Sequence, residues 1–237
     1  MSFSPFDSLA ARLLPELDPG DDGSHDIGHL ARVWANARAI QAEEGGDAEL
    51  LAAAVLLHDC VHVEKSSPLR ARASRLAAER ARLVLARLGW DGARIEAAAH
   101  AIAAHSFSAG IAPETLEARI LQDADRLEAL GAIGIARLFY TAGRMGSLFY
   151  DPADPRAERR ALDDRAFAID HFRAKLLRLE GSFQTATGKR LARERTRLVA
   201  DFLAAFEAEI GLPDPAPTHP EPEPEPGDAP GASLRQG

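Results

Sequence analysis

Residues 47–60, "DAELLAAAVLLHDC", decide the fold. Asp47 is placed to cap a helix, and the Ala and Leu residues behind it are strong helix formers. The run looks built for burial, yet it finishes on His58 and Asp59. Cys60, Val61 and Val63 carry the apolar character past that pair, so a solvated helix end does not account for it. A buried carboxylate without a partner is costly, and a metal ion is one of the few partners that removes the cost.

Outward from this stretch the chain keeps reading as helix. "SPLRARASRLAAERARLVLARLG", 67–89, starts with Ser67 as an N-cap and Pro68 at the first helical position, and stops at Gly89. "APETLEARILQDADRLEALGAIGIARLFYTAG", 112–143, predicts a long helix bent or broken near its glycines. "LDDRAFAIDHFRAKLLRLE", 162–180, and "KRLARERTRLVADFLAAFEAEIG", 189–211, place apolar residues three and four apart and predict two more. No alternating β-branched run and no internal repeat is found. The expectation is an all-α, single-domain helical bundle over 21–212, with an N-terminal helix in 1–20 packing on it.

From residue 213 the composition changes to "PDPAPTHPEPEPEPGDAPGASLRQG", with five acids against one arginine, half of the chain's net charge of −8. With almost nothing apolar to bury, 213–237 is expected to be a disordered tail. The mildly acidic body argues against nonspecific nucleic-acid or anionic-membrane binding. No segment approaches a membrane span, and the first twenty residues lack the basic start and apolar block of a signal peptide. The single cysteine, Cys60, fits a reducing compartment, so a cytoplasmic protein is expected. Cys60 itself reads as a small buried hydrophobe.

Polar residues that interrupt apolar helical patterns mark the chemistry. In "GSHDIGHLARV", 23–33, His25 and His29 share a helical face, and Asp26 suits the helix start. His29 lies a turn further in, beside Leu30 and Val33. Adjacent His58 and Asp59 diverge by only ~100°, which leaves a wedge for a cation. Asp123 and Asp125 point ~200° apart on a helix, so at most one of them faces the same ion. His29, His58, Asp59 and one of these aspartates make a mixed nitrogen and oxygen set suited to Mn²⁺, Fe²⁺, Ni²⁺ or Mg²⁺.

The order His29, His58–Asp59, aspartate resembles the HD-domain superfamily of metal-dependent phosphohydrolases. The flanks "HDIGHLARV", "AAAVLLHDC" and "QDADRLEALGAIGIAR" carry the likeness, which runs from about residue 20 to about 205 and is strongest to bacterial stand-alone HD proteins. The resemblance assigns the last ligand to Asp125. It implies an HD-type bundle, a divalent metal (Mn²⁺ first), and hydrolysis of a nucleotide or related phosphate ester or anhydride by an activated water. It leaves two alternatives, a di-iron oxygenase and a non-catalytic nucleotide-sensing module. A homodimer is a candidate assembly.

Around the metal, Asp59 and His105 are the candidate catalytic side chains, with His105 passing a proton to the leaving oxygen. Lys65, before the capped start at Ser66–Pro68, and Arg126 are the candidate phosphate clamps. Arg70, His100, Asp164, His171 and Lys175 are further pocket candidates. His100 also reads as a core histidine with one hydrogen bond, and Asp164, His171 and Lys175 share one helical face. "GRMGSLFYDPADP", 143–155, reads as a long loop in which Phe149 and Tyr150 are candidates for a lid over a base.

Overall fold

In the computed structural model the residues described are 2–18, 27–63, 67, 70–106 and 109–213, with Arg70 by its backbone alone. Among them the chain is helical, as its sequence predicts: α1 Asp7–Leu13, α2 Ile27–Glu44, α3 Ala48–Leu57, α4 Ala73–Arg87, α5 Gly92–Ala104, α6 Leu116–Arg126, α7 Gly131–Met145, α8 Asp170–Ala174 and α9 Ala186–Glu209. The described residues contain no strand beyond one isolated bridge between Leu148 and Phe167.

Helix α3 is the axis. Leu50 through Leu57 are all buried, so the helix is covered on every side. It packs against α1, α2, α4, α5 and α6. Asp47 caps it as expected, accepting from the Leu50 N–H at 3.0 Å. Helices α5 and α6 begin the same way, with the Asp91 and Thr115 side chains accepting from the N–H groups of Arg94 and Ala118. These caps set where each helix starts, and hence which residue arrives at its far end.

The long 112–143 pattern breaks where its glycines predict. Helix α6 runs into a 3₁₀ turn over Leu127–Ala129, and α7 restarts at Gly131, whose φ of +67° favours glycine. The 162–180 segment departs from its periodicity. Only Asp170–Ala174 is α-helical; Lys175 breaks it at φ −136°, ψ −61°, and a 3₁₀ segment covers Leu176–Ser182. On the N-terminal side the reason lies in Asp170, which is fully buried and accepts from Arg160 and from the Asp163 N–H. That pairing folds 151–170 back on itself instead of extending the helix. Helix α4 also starts later than its sequence suggests, with Arg72 at the N-cap after a 3₁₀ turn. Ser67 lies outside it, and Pro68 falls outside the described residues.

Compactness divides the chain into Met1–Leu203 and Ala204–Gly237. In the second unit the described residues form the last turns of α9, closed by Gly211 at φ +80° and by the Leu212 N–H donating to the Glu207 carbonyl at 3.0 Å. The Pro/Glu-rich tail lies outside the described residues from 214 on.

Candidate metal centre

Three helix C-termini meet at one point. His58 is the C-cap of α3, His105 the C-cap of α5, and Asp125 lies in the last turn of α6. Helix C-termini carry partial negative charge and carbonyls without intrahelical partners, so their convergence favours a cation. Each histidine answers one of those carbonyls. The His58 Nδ1 lies 2.7 Å from the Val55 oxygen, and the His105 Nδ1 lies 2.6 Å from the Ile102 oxygen. A carbonyl only accepts, so both Nδ1 atoms carry hydrogen and each neutral ring presents a lone pair at Nε2.

Those lone pairs point into a cluster of acceptors. The His58 Nε2 is 3.3 Å from the Nε2 of His29, which arrives from the buried face of α2. The Asp125 Oδ1 lies 3.5 Å from the His29 Nε2 and 3.9 Å from the His58 Nε2. The Asp59 Oδ2 is 3.5 Å from the His58 Nε2 and 4.0 Å from the His29 Nε2. The other Asp59 oxygen is 3.7 Å from the His105 Nε2. Two overlapping donor sets result, His29–His58–Asp125 and His58–Asp59–His105.

The charge balance points the same way. Burial lowers the His58 pKa, but the Asp59 and Asp125 carboxylates outweigh it and leave the pKa raised. Burial raises the Asp125 pKa, and His58, His29 and His105 together bring it below the usual carboxylate value. The two carboxylates thus favour positive charge at this point, on a histidine ring or on a bound cation. A set of lone pairs and carboxylates at these separations is the chemistry of a divalent-cation site, and the residues fit one.

Behind His29 stands Glu128, a buried acid in the 3₁₀ turn after α6. Its Oε2 is 3.5 Å from the His29 Nδ1, 2.7 Å from the Arg32 Nε and 3.8 Å from the Arg137 Nη1. Glu128 and Arg137 are absent from the sequence-based candidates. The available signal was an acid three residues after Asp125, set in the apolar context "RLEAL".

The cluster opens into a cleft of about 930 Å³. Asp59, Asp125, Glu128 and Asp164 are the acids in its wall, with His105 beside them, and Arg126, Arg137, Arg165, Lys175 and Arg178 supply cationic side chains. The Arg126 guanidinium donates to the Ser182 carbonyl and lies over the Phe183 ring at 5.9 Å. Asp164, His171 and Lys175 all line the cleft, with the His171 Nδ1 2.8 Å from the Asp164 Oδ2. His100 is not among the lining residues; its Nε2 accepts from the Glu114 N–H at 3.0 Å. Phe149 and Tyr150 do not line the cleft either, and Phe149 packs edge-on against Phe139. His25, Asp26, Lys65 and the Arg70 side chain lie outside the described residues.

Asp123, the other aspartate of α6, faces away. Its Oδ1 accepts from the Gln184 N–H, and its Oδ2 from the Thr185 N–H and hydroxyl, each at 2.8 Å. It anchors the start of α9.

The HD domain family matches residues 26–130. Bacillus subtilis (strain 168) YpgQ, an uncharacterised protein, is 32% identical over 194 residues, which are 80% of this chain and 86% of YpgQ. The crystal structure of B. subtilis YpgQ in complex with ADP superposes with a TM-score of 0.66 at 29% identity, covering 86% of this chain and 94% of that one. An HD-superfamily hydrolase from Bacillus thuringiensis superposes with a TM-score of 0.62 at 30% identity, covering 85% and 93%. The bundle, the order of the histidine and aspartate motifs and these relatives agree: the chain belongs to the HD-domain superfamily.

Proposed function

We propose that the protein is a divalent-metal-dependent phosphohydrolase acting on a nucleotide, with His29, His58, Asp59 and Asp125 as the metal ligands. The observation that carries this reading is one cleft whose wall holds both a cluster of metal-ligating atoms and several arginine and lysine side chains. A divalent cation held by that cluster would supply Lewis acidity toward a phosphoryl oxygen and an acidified water, with Mn²⁺ the first candidate.

The chain's own residues do the rest. Arg137, Lys175 and Arg178 bind phosphate oxygens from the cleft wall, and Arg126 does so while tethered to the Ser182 carbonyl. Asp59 directs one oxygen to His58 and the other to His105. Burial lowers the pKa of His105, so at neutral pH its Nε2 is a proton acceptor. His105 would therefore accept a proton at Nε2 from the attacking water and pass it to the leaving oxygen. Nucleotide as the substrate class draws support from the ADP bound by the B. subtilis relative. The overlapping set His58–Asp59–His105 favours one second reading, a two-iron oxygenase. Iron content of the purified protein separates it from the first.

The test is turnover of a nucleotide panel by metal-stripped protein supplied with Mn²⁺, Mg²⁺, Ni²⁺ or Fe²⁺, with products resolved by chromatography. Hydrolysis that requires metal and disappears in Asp59→Ala is expected. Tight metal binding with no turnover on any nucleotide would overturn the phosphohydrolase reading.

A further inference from the structure

Glu128 is an acid that the hydrolytic scheme above does not use, yet it is only 2% exposed and lies against a metal ligand. Burying a carboxylate is tolerated where donors meet it. Arg32 Nε–H donates to its Oε2 at 2.7 Å, and the same oxygen faces the His29 Nδ1 at 3.5 Å. His58 and His105 have their tautomers set by carbonyls of their own helices, as shown above. His29 is the third residue of α2, and among the described residues an acceptor that faces its Nδ1 is the Glu128 Oε2. Arg137 complicates the choice. Its Nη1 is 3.4 Å from the His29 Nδ1, and an arginine can only donate. If Arg137 supplied the hydrogen of that contact, the ring proton would sit on Nε2, aimed at the ligand cluster and incompatible with coordination through that atom.

We infer that Glu128 is a positioning residue of the metal centre. It accepts from the His29 Nδ1–H and fixes the tautomer that presents the Nε2 lone pair to the ion. The inference rests on the metal reading of the cluster. Arg32 holds the carboxylate from the far side and keeps it aimed. Arg137 cannot donate to a protonated Nδ1, so in the metal-loaded protein its guanidinium is left to Glu128 or to the cleft that it lines. Metal occupancy and the availability of Arg137 for an anion are thereby linked through one carboxylate oxygen.

The experiment uses the full chain. Metal-stripped wild type, Glu128→Gln and His29→Ala are titrated with Mn²⁺, and the free ion is followed by electron paramagnetic resonance. In parallel, the ¹⁵N shifts of the His29 ring are recorded in wild type loaded with diamagnetic Zn²⁺. Glu128→Gln keeps volume and one acceptor but loses the charge, and loss of an outer partner of this kind typically weakens metal binding ~10–100-fold. At least a ~10-fold rise in Mn²⁺ Kd is expected for Glu128→Gln, together with an Nδ1–H tautomer of His29 in the Zn²⁺-loaded wild type. A merely structural Glu128 would lower the melting temperature and leave the Kd of the folded protein unchanged. An unchanged Kd in Glu128→Gln, or a ring proton on Nε2 in the loaded wild type, would overturn the inference. Failure of wild type to bind Mn²⁺ would instead sink the metal reading itself, and this inference with it.

Discussion

Two faces of one helix carry Asp123 and Asp125, and they behave as opposites. Asp123 is fully buried and fully answered: three donors meet its two oxygens at 2.8 Å. Asp125 lines the cleft, and its Oδ1 faces the Nε2 atoms of His29 and His58. Burial raises the carboxyl pKa on the Asp123 side, while on the Asp125 side the histidines reverse that effect. An acid met by hydrogen-bond donors is structural, and an acid met by histidines in the wall of a cleft is placed to share a cation with them. The Gly188 contact makes the first case plain, since a Cβ there would fall 2.3 Å from the Asp123 Oδ2. That face has no room for a ligand.

Substitutions on the two faces therefore separate catalysis from stability. Asp125→Ala has the largest expected effect: metal-dependent turnover falls by about 1,000-fold or more, equivalent to ~4 kcal/mol of transition-state stabilisation. Chemical denaturation of the metal-free variant should show little loss of stability, and Mn²⁺ should raise the melting temperature of wild type but not of the variant. A wild-type rate in Asp125→Ala would erase the distinction between the faces. Asp123→Asn should do the reverse. Its amide offers one acceptor oxygen where two carboxylate oxygens now serve three donors, which costs about 3 kcal/mol in urea denaturation. Mn²⁺ affinity of the folded fraction should hold.

How much of this was legible beforehand follows from the same contrast. His29, His58–Asp59 and Asp125 stand out in sequence because each interrupts an apolar helical pattern, and the helices that carry them form where capping and propensity place them. Spacing alone left Asp123 and Asp125 level; the contacts of Gln184 and Thr185, some sixty residues away, separate them. Glu128 and Arg137 were missed because their roles exist only across α2, the 3₁₀ turn and α7. The helix expected over 162–180 is shortened for a more local reason: buried Asp170 pairs with Arg160, ten residues upstream, and holds the chain before it out of the helix.

The cleft wall offers a smaller effect. Lys175→Ala and Arg178→Ala should each raise KM for a nucleotide by about 10-fold, the loss of ~1.4 kcal/mol of charge-assisted binding, with Mn²⁺ affinity unchanged. A fall in kcat with KM constant would place these residues at the reacting phosphate instead. The smallest expected effect is at Cys60, one residue beyond the proposed ligand Asp59. Burial pushes its thiol up to about 12, so iodoacetamide at pH 8 should leave the folded protein unlabelled and its activity intact. Rapid labelling would show that the end of α3 opens.

The most direct measurement is anomalous diffraction at the manganese edge from crystals of the full chain soaked in Mn²⁺. The account predicts a peak coordinated by the Nε2 atoms of His29 and His58 and by carboxylate oxygens of Asp59 and Asp125. A peak bound elsewhere, or none at saturating Mn²⁺, would contradict it.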